Sequence, residues 1–280
     1  MKRAGKIGVF DSGFGGLHTL RDLVGALPQY DYVYLGDSAR APYGPRTYEE
    51  VYTFSTQALD FLFAHGCEIV VFACNTASSV ALRRIQQEYM PARHPDKKVL
   101  GVSIPLAETA VATTKTKRIG VIATQGTVGS RVFVREIHKL DPSIQVFQQA
   151  AARLVTMIEA GEHASPDIRE ALAVYLRPLL DSSIDTLILG CTHYGLIADT
   201  IQSVVGADVN VISESQAEPQ ALARYLANHP DIDASLSKSG SRSFYSTDTT
   251  DTFDALGSIF FGSPIRAEKI YLAEVQDHAV

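Results

Sequence analysis

Residues 68–78 read EIVVFACNTAS, and residues 185–195 read DTLILGCTHYG. Each is a short, continuous apolar run rich in branched side chains that ends on a cysteine and then turns polar. A run without alternation is a strand buried on both faces, as in parallel sheets covered by helices. Working outward, each run has an upstream companion. KIGVFDSGFGG begins at Lys6 and RIGVIATQGTVGS at Arg118, so in both halves an IGV strand enters a polar, glycine-bearing loop. Ile7 precedes Cys74 by 67 residues and Ile119 precedes Cys191 by 72, which reads as a worn duplication. Further strands are expected at residues 32–35 and 98–102, with helical spacing at 17–27, 47–65, 77–89 and 217–228. The tail after that last helix reads as strand, helix, strand, ending near Tyr271 and packing back on the first half.

The expected fold class is therefore α/β, with two pseudo-symmetric domains, mainly parallel sheets flanked by helices, and an active site at the domain interface. Residues 1–97 with 211–280 are expected to form a first domain carrying Asp11 and Cys74. Residues 98–210 are expected to form a second, carrying Glu159 and Cys191.

Bulk properties narrow the function. A 46% hydrophobic and 20% charged chain of 280 residues is ordinary globular material with enough length for a core without staples. A net charge of −6 and the lack of a long basic run argue against a nucleic-acid partner. Cys67, Cys74 and Cys191 form no C-x-x-C pair and have no zinc-type histidine spacing, so no metal is expected and a reducing cytosol is. Lys2, Arg3 and Lys6 precede an apolar run that Asp11 cuts short, which reads as a strand and not a leader. No apolar stretch is long enough to span a bilayer, so a cytoplasmic protein is expected.

The chemistry gathers where strands end. Cys74 is followed by Asn75 and Thr76 and, if Ala77 opens a helix, sits at that helix's N-terminus. Backbone N–H groups there favour negative charge and are expected to lower the thiol toward its thiolate. Cys191 repeats the plan, with Thr192 and His193 following. Either cysteine alone reads equally as inert packing; two at matching positions do not. Cys67 lacks such a neighbourhood and is assigned to the core. Asp11 is either a helix N-cap or a site carboxylate, in a loop whose glycines let backbone approach a ligand. The loop is neither a dinucleotide fingerprint nor a phosphate loop. Asp37 and Pro42-Tyr43-Gly44 form a third polar loop, where Tyr43 reads as a rim aromatic. His193 is open between a base, a substrate contact and a satisfied loop histidine. Glu159 by itself reads as a solvated helix charge.

Two thiols suit one reaction in particular. Inverting an amino acid removes the α-proton from one face and returns a proton to the other. That takes two groups, one thiolate and one thiol, whose roles exchange with direction. No lysine motif for pyridoxal phosphate is evident, so no cofactor is expected.

These segments resemble one family. FDSGFGG (residues 10–16), GDSARAPYG (36–44), ACNTAS (73–78), IGVIATQGTV (119–128) and GCTHY (190–194) are similar, in order, to the signatures of glutamate racemases. The resemblance implies interconversion of L- and D-glutamate without pyridoxal phosphate, supplying D-glutamate for peptidoglycan, in an enzyme that often forms a homodimer. It implies that Cys74 serves the D-isomer and Cys191 the L-isomer. Asp11 is implied beside Cys74, with Glu159 and His193 beside Cys191. Ser12, Asn75, Thr76, Thr192 and the Pro42-Tyr43-Gly44 backbone are implied to bind substrate, together with Asp11, His193 and the cysteines. Three segments depart from the pattern: Gly195 stands where proline is usual, Val155-Thr156-Met157-Ile158 replaces a proline-bearing run before the second acid, and Ser103-Ile104-Pro105-Leu106 replaces a proline–glycine pair. The competing readings are an aspartate racemase, a hydrolase with Cys191 as nucleophile and His193 as base, and a two-lobed amino-acid-binding protein.

Overall fold

The computed structural model describes residues 4–248 and 250–272. Lys2 and Arg3, and the ends of the expected first domain at 1–3 and 273–280, lie outside them. Among the described residues ten strands build two all-parallel sheets: β1 (Lys6–Asp11), β2 (Tyr32–Gly36), β3 (Cys67–Phe72), β4 (Lys98–Gly101), β5 (Arg118–Ala123), β6 (Gln145–Ala150), β7 (Thr186–Gly190), β8 (Asn210–Ile212), β9 (Arg242–Ser246) and β10 (Glu268–Lys269). The six-stranded sheet has the order β10-β9-β2-β1-β3-β4, and the four-stranded sheet the order β6-β5-β7-β8. The run β2-β1-β3-β4 and the run β6-β5-β7-β8 follow one plan, each lobe's second strand flanking its first and its third and fourth following. The two halves paired in the sequence thus occupy equivalent places, β1 with β5 and β3 with β7.

Strand burial explains the apolar runs. Every residue of β2 and β7 is buried, as are all but the second of β3. Among the described residues the larger sheet gains two strands, β9 and β10, on its β2 edge, so the tail returns to the first lobe.

Strand pairing runs slightly past residues 97 and 210 in the two sheets. β4 pairs with β3, from Ile69 with Lys98 to Phe72 with Gly101, so the first sheet runs past residue 97. β8 pairs with β7, from Thr186 with Asn210 to Ile188 with Ile212, so the second runs past residue 210. In both places sheet pairing continues for one further short strand. The helix expected over 77–89 is also broken: Asn75–Val80 and Leu82–Arg84 are followed by a π-helical turn at Ile85–Tyr89. Helix Glu214–Asn228 begins three residues before its expected start at Ala217. No described helix is long and apolar enough to cross a membrane.

Candidate active site

All strands of a parallel sheet end on the same side, and ligands bind outside those carboxyl ends. Here the ends of β1, β3, β5 and β7 deliver Asp11, Cys74, Thr124 and Cys191 to one region between the sheets. A narrow cleft of about 20 Å³ lies there, lined by both sulfur-bearing residues, Cys74 and Cys191. Ser12, Pro42, Tyr43, Gly44, Asn75, Thr76, Glu159, Thr192 and His193 line it too. Every expected site residue except Asp11 is therefore on its wall. Asp11 is fully buried behind the wall. Its Oδ1 accepts from the Gly13 N–H at 3.0 Å, and its Oδ2 accepts from the Thr192 hydroxyl at 3.3 Å. Asp11 caps and bridges: it accepts from the backbone N–H of Gly16, which opens helix Gly16–Ala26, and it ties the first lobe's loop to the second lobe's.

The glycines of that loop have a specific task. A Cβ on Gly15 would lie 2.6 Å from Thr192 Oγ1 and 2.7 Å from His193 Nδ1. Only a residue without a side chain lets the two lobes approach this closely. Two more bridges cross beside the cleft: Thr76 and Thr124 share a hydroxyl hydrogen bond of 2.9 Å, and Gly126 N–H donates to Gly44 O at 3.0 Å.

Cys74 is 4% and Cys191 5% exposed. Cys74 is the N-cap of helix Asn75–Val80; Ala77 N–H donates to its sulfur at 3.4 Å, and the thiol donates to Ser12 Oγ at 3.4 Å. The helix thus opens at Asn75 and not at Ala77. The thiol is also not lowered as expected. Burial, and then the negative charge of Asp11, push Cys74 up to about 12, outweighing the Ser12 and Ala77 hydrogen bonds. One short helix's N–H cannot offset the loss of water around a thiolate. Cys191 is likewise held well above the ordinary thiol range by burial first, eased by the His193 backbone N–H and reinforced by Glu214, Cys74 and Asp11. The two thiols therefore lie close enough for charge on one to be felt at the other.

On the Cys191 side a relay is visible. Cys191 Sγ lies 3.9 Å from His193 Nδ1, and His193 Nε2 lies 2.9 Å from Glu159 Oε1. Glu159, at the end of helix Leu154–Glu159, is thus engaged and not a free surface charge. Phe14 and Phe260 pack on the imidazole, each with ring centroids 5.6 Å away.

Tyr43 is not a rim aromatic. It is 1% exposed, and its hydroxyl donates to Asp37. Asp37 also accepts from Arg40 Nε at 2.7 Å and from the Thr247 hydroxyl at 2.8 Å. That buried knot fixes the Pro42–Gly44 backbone against the cleft. Cys67 is fully buried in β3 and pushed up to about 12 by burial, as a packing residue would be. Thr124 and Val155 line the cleft without having been singled out. Thr124 follows an IGV strand as Ser12 does, and that parallel is the available signal. Glu214 was missed as well. It is 3% exposed, in the first turn of its helix, and it accepts from the Asn75 amide. Among the described residues no group of three or more His, Cys, Asp or Glu is placed to hold a metal ion.

The profile of the Asp/Glu/Hydantoin racemase family matches residues 8–222. A glutamate racemase of Exiguobacterium sibiricum is 36% identical over 277 residues, covering 98% of each chain. Among solved structures, a glutamate racemase isoform from Bacillus anthracis superposes with a TM-score of 0.88 at 33% identity, covering 97% of this chain and 99% of that one. A glutamate racemase from Francisella tularensis, solved in complex with D-glutamate, superposes with a TM-score of 0.85 at 31% identity, covering 96% and 98%.

Proposed function

The chain belongs to the Asp/Glu/Hydantoin racemase family and, within it, to the glutamate racemases; from that premise we propose that it interconverts L- and D-glutamate with Cys74 and Cys191 as the two bases, without a cofactor, and supplies D-glutamate for peptidoglycan. The observation that carries this is that two buried cysteines, one from the end of a strand in each sheet, line a single cleft.

The geometry supports the chemistry as follows. Substrate enters between the lobes with its α-carbon between the sulfurs. Cys74, as thiolate, removes the α-proton of D-glutamate while the Cys191 thiol protonates the opposite face. For L-glutamate the roles reverse. Both sulfurs rest as thiols, because burial opposes charge. The arriving α-ammonium supplies a nearby positive charge that lowers the neighbouring thiol. The carbanion is hard to form, so charge moving onto the α-carboxylate needs fixed donors in a water-poor cleft. The hydroxyls of Ser12 and Thr76 and the backbone N–H groups of Asn75, Thr76 and Thr192 are such donors. The Pro42–Gly44 backbone, held by the Asp37 knot, meets the distal carboxylate. His193, backed by Glu159, assists at Cys191, and Asp11 aligns Thr192 beside Cys74. The two sheets are taken as the two lobes, with the crossings after Gly101 and after Ile212. A homodimer, on the strength of the resemblance alone, and a cytoplasmic location, on the cysteine usage and the lack of a long apolar stretch, belong to the same reading. A hydrolase built on Cys191, His193 and Glu159 would leave Cys74 without a task.

The test is proton exchange. Purified protein in deuterium oxide, with no added cofactor, is expected to replace the α-proton of both glutamate enantiomers. Aspartate, one methylene shorter, should exchange at least about tenfold more slowly, the scale of discrimination that one methylene allows. No exchange with glutamate, or faster exchange with aspartate, overturns the proposal.

A further inference from the structure

Behind the cleft lie two buried carboxyls that the two-thiol reaction does not use. Glu214 and Glu218 sit one turn apart on helix Glu214–Asn228 and are 3% and 2% exposed. The Asn75 amide nitrogen donates to Glu214 Oε1, which leaves Asn75 Oδ1, buried and on a residue lining the cleft, without a partner. Glu218 Oε2 is also buried without one. The neighbouring elements bring little positive charge. Asp11 and His193 act on Glu214 from β1 and from the turn Thr192–Ile197, and the Cys191 thiol feels Glu214 in return. His18, on helix Gly16–Ala26, bonds Ser215 and Arg21 and lies near Asp22. Arg224, on the same helix as the two glutamates, pairs with Glu108 of helix Ser103–Thr113. Asp231 and Asp233 lie on the adjoining helix Pro230–Ser235, with Asp233 paired to Lys238. Among the described residues no Lys or Arg bonds either buried carboxyl.

An amide whose nitrogen is fixed by a carboxylate has one orientation, with its oxygen free to accept. An acceptor left unpaired in a closed site costs free energy until a donor arrives. The α-ammonium of an amino acid is such a donor. We propose that Glu214 is the positioning residue for Asn75: its carboxylate holds the amide nitrogen so that Oδ1 receives the substrate's α-ammonium. This rests on the reading of the same cleft as a racemase site.

The arrangement has a pH signature. Burial, with Asp11 adding to it, pushes the Glu214 carboxyl up to about 7; burial and then Glu214 push Glu218 up to about 8. Below its titration Glu214 is protonated and donates to Asn75 Oδ1, consuming the acceptor. KM for D-glutamate is therefore expected to rise as pH falls from about 9 to about 6. In Glu214→Gln the side chain offers Asn75 either a donor or an acceptor and fixes neither orientation. KM at about pH 8.5 should rise at least about tenfold, and the pH dependence of KM should flatten. Glu218 sheds its proton after Glu214, so Glu218→Gln removes a second buried carboxyl while leaving the Asn75 contact in place. It should keep the KM limb and the high-pH KM within about twofold of wild type; a tenfold rise like that of E214Q would show lost packing and not a lost Asn75 contact, and overturns the assignment.

The experiment measures KM and kcat for D-glutamate across this range in wild type, E214Q and E218Q. An E214Q profile parallel to wild type overturns the assignment. Should E214Q fail to fold, a wild-type KM for D-glutamate that stays flat between about pH 6 and 9 overturns it equally. Wild-type protein that does not exchange the α-hydrogen of glutamate removes both this assignment and the racemase site beneath it. A racemising wild type with an unaltered E214Q profile removes this one alone.

Discussion

Asp11 illustrates how one side chain joins structure to reactivity. It is fully buried, takes the Gly13 N–H and the Thr192 hydroxyl, and is itself pushed up by burial. Its negative charge stands second only to burial in holding the Cys74 thiol high. Replacing it by asparagine keeps the shape and removes the charge. Asp11→Asn is thus expected to speed iodoacetamide alkylation of Cys74 at about pH 8 several-fold, because the thiolate fraction rises as its pKa falls. Racemisation should fall at the same time, since Thr192 loses its charged anchor. Slower alkylation of Cys74 in D11N would show that Asp11 assists ionisation and does not oppose it.

At the scale of elements, Gly195 shows how one departure from the family pattern is accommodated. A Cβ there would lie 2.8 Å from His18 Nδ1, and His18 is pinned by Ser215 Oγ at 3.0 Å and by Arg21 at 2.8 Å. His18 fills the space that a larger residue would need where helix Gly16–Ala26 meets the turn Thr192–Ile197. Gly195→Ala overpacks this contact, at about 1–3 kcal/mol. The melting temperature is expected to drop by about 3–8 °C in thermal unfolding. The H18A/G195A double variant should recover most of that loss; a simple sum of the two single effects would show that the residues do not compete for space. The same scale shows what sequence could reveal. β3 and β7 are buried on both faces, so their identity is written in uninterrupted apolar runs. β6, QVFQQA, is an edge strand partly open to solvent, and β8 has three residues, so neither carries such a run. The apolar spacing of helix Glu214–Asn228 starts only at Ala217, so its first turn, and Glu214 with it, carries no helical signal in the sequence. The two thiols, Asp11 and the polar residues after each strand were legible because each stands at a strand end, where sequence position fixes spatial position. The depth of their burial was not, since it depends on how closely the two lobes meet.

The whole molecule is two copies of one four-strand plan set around a shared cleft. The copies are held together beside it by the Thr76–Thr124 and Gly44–Gly126 contacts and by Asp11–Thr192. Neither lobe alone presents groups to both faces of a carbon, so the proposed chemistry is a property of the pair. The most direct measurement is racemisation of each glutamate enantiomer by Cys74→Ala and by Cys191→Ala, followed by circular dichroism alongside melting curves that verify folding. Each variant is expected to lose at least about a thousandfold in turnover in both directions, within the range a positioned acid or base contributes, while remaining folded. Wild-type turnover in either folded single variant would contradict two bases on opposite faces.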